Sequence, residues 1–291
     1  MSATAQNAKR DHHYVPRFYL RAWCGSDGLL WAHWRNKFGT LKQRKKSPKS
    51  VACVRDLYTI RHVGPLVNSG SPESVERAFE VLENEAAPIH QKLVTEQAAQ
   101  GLSVAERTVW ARFLLSLDNR GPSRLGQLDA DAGLFAKRTT DDMRARAQQS
   151  EQHSRLEEAL AEFDAIALGR NELRRALLRF AAAPAHVSTL LSHHWLLIDA
   201  GRGPEYITTD RPVFYLDTKE TGRVAMFCPI SPQTLFVSTP NAEFRDDRKL
   251  NAMLPMLARL LILQTPPTQV FSHGRLDSRS LFKLQKTWPE K

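Results

Sequence analysis

The chain has 291 residues, 42% hydrophobic and 25% charged. That is the profile of a globular protein and excludes a disordered or fibrous one. The longest apolar stretches, 190–200 and 254–263, fall short of the roughly 18 residues a membrane span needs. The opening MSATAQNAKRDHHYVP lacks the apolar core of a secretory signal. Three widely spaced cysteines, Cys24, Cys53 and Cys228, form no CxxC and no disulfide framework. Together these features predict a reduced, cytoplasmic protein with no membrane association.

The net charge of +10 is unevenly placed. Residues 1–70 hold thirteen Lys/Arg against three Asp, whereas residues 71–291 hold 28 charges of each sign. The densest part is the run 42–49, with Lys42, Arg44, Lys45 and Lys46, preceded by Trp23, Trp31, Trp34 and Phe38. Cations can meet phosphates while exposed rings stack on bases, so a nucleic-acid partner through residues 1–70 is one reading. The other is a solubilising basic loop, with the tryptophans as hairpin core.

In chain order, residues 1–10 are small and polar and read as a disordered tail. The single domain, 11–291, divides into a basic β segment (11–70), a helical middle (71–185) and a β-rich C-terminal part (190–291). After the aromatic and basic segment 14–23, a turn at 25–28 leads to a strand over 29–35, with a second strand over 50–60. Ser71-Pro72-Glu73 reads as a helix start, followed by Val75, Phe79, Leu82, Ala86, Ile89 and Leu93 at helical spacing. Ser103 and Glu106 form a capping box ahead of a second apolar stripe, Val109, Trp110, Phe113, Leu114 and Leu117. Helical patterns continue over 125–149, 154–168 and 172–183. From 194 onward short strands follow at 194–199, 205–209, 213–216, 224–230 and 235–238, then a helix over 248–263 and a last strand over 269–272. The predicted fold is α+β: a mixed or antiparallel sheet made by the N- and C-terminal segments, covered by the central helices.

No P-loop, GxGxxG, HExxH or GxSxG occurs. Cys24/His33 and Cys53/His62 are spaced too widely within each pair for a zinc site and read as buried thiols with incidental histidines. Asp210, Asp217 and Lys219 have the residue types of a Mg²⁺-dependent nuclease, but 217–222 reads as a hairpin turn. Asp210, followed by Arg211-Pro212 at a strand end, can be both fixed and accessible. His12 and His13, beside Tyr14, Pro16 and Arg17, form the densest group of catalytic residue types: an imidazole titrates near neutrality, and an arginine offsets phosphoryl charge. The stretch 118–124 ends a strongly apolar helix with Asn119, Arg120 and Arg124; the dipole alone explains the arginines, but they can also clamp an anion. Of Glu80, Glu83 and Glu85 on the preceding helix, one could face Arg120.

The segment His12-His-Tyr-Val-Pro-Arg-Phe-Tyr-Leu-Arg21 resembles the opening of a bacterial family catalogued as domain of unknown function 4238, with Arg17 where glutamine is usual. Further landmarks follow in order: Leu82-Glu83-Asn84-Glu85, Asn119-Arg120-Gly-Pro-Ser-Arg124, Ile207-Thr-Thr-Asp210-Arg-Pro-Val213 (Thr209 and Arg211 replacing serine and asparagine) and Pro229-Ile-Ser-Pro232. The resemblance spans about residues 11–275. It brings His12, His13, Arg120 and Asp210 forward as one converging set, and it implies no activity.

The localised charge and the His/Asp/Glu/Arg set point to a bacterial nucleic-acid-acting protein, a nuclease of the kind used in defence or conflict. His12 or His13 would serve as general base, and Asp210 with Glu85 would orient it or hold a divalent metal such as Mg²⁺. Arg17, Arg120 and Arg124 would bind phosphate, with Lys42, Arg44, Lys45 and Lys46 on the backbone. The alternatives are a binding module in which the His/Asp/Arg set is a buried network, and an enzyme on a small anionic metabolite.

Overall fold

The computed structural model describes residues 11–63, 74–148, 163–218, 223–240 and 268–277, with positions 154, 158 and 280. The tail 1–10, the helix start 71–73, residues 155–157 and 159–162 of the helix 154–168, Lys219 and the helix 248–263 lie outside the described residues.

The chain begins with β1 (Asp11–His13) and α1 (Arg17–Arg21), then the hairpin β2 (Leu30–Arg35) and β3 (Leu41–Lys46), and the short β4 (Cys53–Arg55). The helical middle comprises α2 (Ser74–Glu96), α3 (Val104–Asn119), α4 (Pro122–Ala147), α5 (Ala165–Ala182) and α6 (Pro184–Ser192). The C-terminal strands are β5 (His194–Asp199), β6 (Thr208–Thr209), β7 (Phe214–Thr218), β8 (Arg223–Pro229), β9 (Thr234–Thr239) and β10 (Gln269–Ser272).

The α+β expectation holds. One antiparallel sheet runs β3-β2-β10-β6, so strands from both ends of the chain meet at the β2–β10 pairing, where Trp34 faces Gln269. A second antiparallel sheet, β5-β9-β8-β7, belongs to the C-terminal part alone, and β1 pairs β4 in a two-stranded ribbon. The basic run differs from a loop between strands: Lys42–Lys46 lie within β3, an edge strand among the described residues, its exposed cations in the place where charge discourages further pairing. The strand expected over 50–60 shortens to Cys53–Arg55 because Pro48–Ser50 form a 3₁₀ turn and Ala52 and Asp56 adopt positive φ.

Local chemistry fixes the helices. Ser103 caps α3 with the full reciprocal box: its Oγ accepts from the Glu106 N–H at 3.2 Å, and Glu106 accepts from the Ser103 N–H at 2.7 Å. The stripe Val75, Phe79, Leu82, Ala86, Ile89 and Leu93 of α2 is buried throughout, and all of it except Leu82 joins one core with Tyr19, Trp23, Trp110, Phe227 and Phe271. Where α4 and α5 cross, Gly133 and Gly169 allow the close approach; a Cβ on Gly169 would lie 2.8 Å from the carbonyl carbon of Ala132. Among the described residues, no helix is long and apolar enough to cross a membrane.

Candidate functional site

The site starts with Pro16. With its extended backbone (φ −61°, ψ 144°) it sits at the N-cap of α1, five residues that bury Tyr19 and Leu20 and leave Arg17 and Arg21 exposed one turn apart. On α2, Glu76, Glu80 and Glu83 recur at helical spacing just beside the buried stripe. Between these two walls lies a cleft of about 410 Å³ lined by His13, Arg17, Arg21, Glu76, Glu80 and Glu83, with Phe18, Asn84 and Ala87.

His13 enters from β1 and is 7% exposed. Its Nε2 lies 3.2 Å from the carbonyl of Lys49, in the turn that follows β3. A carbonyl only accepts, so Nε2 is the donor in this contact, and Nδ1 is buried. His12 is tied differently. Its Nδ1 accepts the Tyr58 N–H at 3.0 Å, and its ring stacks on Tyr58 with centroids 5.6 Å apart and planes 6° from parallel. The basic nitrogen of His12 is therefore engaged with buried backbone, and the residue pins β1 to the segment after β4.

Arg120 caps the end of α3 and is 1% exposed. Its Nε donates to the Tyr14 carbonyl at 2.9 Å, its Nη1 to Glu83 at 2.8 Å, and the guanidinium lies over the Phe79 ring at 5.3 Å. Tyr58 donates its hydroxyl to the Arg120 carbonyl at 2.8 Å, and burial holds that phenol protonated. Arg120 thus fixes Glu83, which faces the cleft, and has no free face for phosphate. Asp210 is 5% exposed and accepts from the Thr268 N–H at 3.0 Å and from its hydroxyl. Burial raises the Asp210 carboxyl above the usual range, with the bonds from Thr268 and Gln269 and the charge of Arg211 opposing.

The sequence-proposed set therefore separates in two. His13 and Arg17 line the cleft. His12, Arg120 and Asp210 belong to a buried network behind it, joined to the cleft through the Arg120–Glu83 pair. Glu85 is exposed and does not line the cleft, and Arg124 is exposed in the first turn of α4. Lys42, Arg44 and Lys45 are exposed on β3, with Lys45 paired to Asp27; Lys46 lies 4.5 Å over the Trp34 ring. Asp210 and Asp217 stand with different sheets, the first after β6 and the second in β7. For a divalent metal the described residues do not fit: Asp210 is satisfied by Thr268, Glu85 lies outside the cleft, and no group of three His, Cys, Asp or Glu among the described residues is placed to hold an ion.

Arg21, Glu76 and the joint role of Glu80 and Glu83 were missed. Their signals are present in the sequence: Pro16 read as a helix start puts Arg17 and Arg21 on one face, and 76/80/83 is a stripe adjoining the apolar one.

A family model described as "Protein of unknown function (DUF4238)" matches residues 11–277. None of the curated proteins and none of the solved structures matches the chain.

Proposed function

Because the chain belongs to the DUF4238 family of proteins of unknown function, membership brings no activity with it, and we propose from the cleft itself that the protein is a phosphodiester hydrolase acting on nucleic acid. One observation carries the reading: His13, Arg17 and Arg21 line one cleft with Glu76, Glu80 and Glu83. In this reading Arg17 and Arg21 hold the phosphate and offset the charge that develops on its oxygens. His13 takes the proton of the attacking water. Glu83, held by Arg120, fixes the opposite wall. The basic strand supports the reading by position: from Arg44 the chain needs five residues, at most about 18 Å, to reach the Lys49 carbonyl that binds His13.

The test is cleavage of end-labelled RNA and DNA, with and without Mg²⁺, by the wild type, His13→Ala and the double variant Arg17→Ala/Arg21→Ala. Loss of about 10²-fold or more in His13→Ala is expected for a general base. Cleavage that survives both variants unchanged refutes the assignment.

A second reading, a binding module without catalysis, draws on the buried network of His12, Tyr58, Arg120 and Asp210. Stability separates the two. His12→Ala leaves the buried Tyr58 N–H without its acceptor and removes a stacked ring, so about 2–3 kcal/mol is lost. His13→Ala is expected to lose less than half of that if His13 serves the cleft, since residues kept for activity rarely add stability. Equal losses favour the module.

A further inference from the structure

Beyond the charged cleft, the same stripe of α2 continues. Glu76, Glu80 and Glu83 give way at the next helical steps to Ala87, His90 and Val94. The groove changes with them. A second cavity of about 560 Å³ adjoins the first, sharing Phe18, Arg21 and Ala87 and closed by Ala22, Pro88, Gln91, Val94 and Thr95. Its floor is uncharged: His90 is buried, donates from Nε2 to the Ile230 carbonyl at 2.8 Å, and packs edge-on against Phe18 at 5.6 Å.

We infer that this second cavity is a subsite for the nucleobase next to the phosphate held at Arg21. The inference rests on the phosphate reading of the cleft. Arg21 belongs to both cavities, so a phosphate at its guanidinium stands at the junction. From Ala87 to Gln91 and Val94 is about 6–10 Å along the helix, a span suited to the group that a phosphate carries through one sugar. The walls suit a flat heterocycle better than an alkyl chain. Phe18 offers an aromatic surface, and the exposed Gln91 amide presents a donor and an acceptor side by side. Pro88 has no N–H to give the Asn84 carbonyl, which leaves a helix acceptor near the junction. An alkyl chain would use none of these polar groups.

The experiment measures binding by calorimetry of three probes to the full chain: inorganic phosphate, a nucleoside 5′-monophosphate and octyl phosphate. The nucleotide is expected to bind at least about tenfold tighter than phosphate, the factor that stacking one base is worth. Val94→Trp, which fills the cavity, is expected to bring the nucleotide to the level of phosphate. Gln91→Trp, at an exposed position, serves the same purpose should Val94→Trp fail to fold. A nucleotide no tighter than phosphate overturns the subsite alone. Octyl phosphate outbinding the nucleotide overturns the nucleobase in favour of an alkyl occupant. Binding of none of the three refutes the phosphate reading together with the subsite.

Discussion

Arg120→Met tests whether the buried network holds the cleft wall. The thioether keeps much of the arginine stem and removes the guanidinium, which is 1% exposed and bonds to Tyr14 and Glu83. Loss of the charge-assisted bond to Glu83 is worth about 1.5–3 kcal/mol, toward the low end because Glu83 keeps 22% of its side-chain exposure. The Tyr14 carbonyl, left without its donor, adds about 1–3 kcal/mol. Against these, Arg120 Nη2 is buried without a hydrogen-bond partner among the described residues, and removing it returns part of that penalty. The net expectation is a loss of about 2–4 kcal/mol. Urea unfolding followed by tryptophan fluorescence measures it, and Glu83→Gln with the double variant completes a cycle expected to show coupling of about 1 kcal/mol or more. A loss under about 0.5 kcal/mol, or additive single variants, refutes the claim that Arg120 secures Glu83.

Packing and burial elsewhere in the fold fix further outcomes. Gly169→Ala, whose Cβ would press on the Ala132 backbone, should lose about 2 kcal/mol or more, while Gly126→Ala, exposed in α4 with nothing within 4 Å, should gain about 0.5–1 kcal/mol; thermal melts of the pair read both signs. Burial holds the His33 and His90 imidazoles down at about 4, against 6.5 ordinarily. The unfolded chain therefore takes up protons near 6.5 that the folded chain refuses until about 4, so stability is full above that window and falls as pH drops through it. His90→Gln should remove roughly 2–3 kcal/mol of the difference between pH 7 and pH 4.5, seen in urea unfolding at the two values. Lys42→Gln/Arg44→Gln should weaken RNA or DNA binding and flatten its salt dependence by up to about two charges; an unchanged slope in anisotropy titrations would leave β3 as a protected edge only.

What the sequence by itself determined was whatever depends on neighbours within a turn or two. The Ser103–Glu106 box, the α2 stripe from Val75 to Leu93 and the bounds of β5 and β10 were all legible, because capping, helical spacing and strand runs are local. So was the ordered set of landmarks that led to the family. The meeting of the two chain ends was expected from the order of elements, but the second sheet and the register at Trp34–Gln269 were not. Tertiary structure alone decided the rest. Lys42–Lys46 became a strand because β2 supplies a pairing partner, which composition does not announce. Arg120 looked like an anion clamp and became a buried pin, since only packing brings Tyr14, Phe79 and Glu83 around it. Asp210 and His12 look like site residues by type, yet Thr268 and Tyr58 engage them from distant parts of the chain. A side chain's type fixes which bonds it can make; which partner arrives first is set by contacts between segments far apart in sequence.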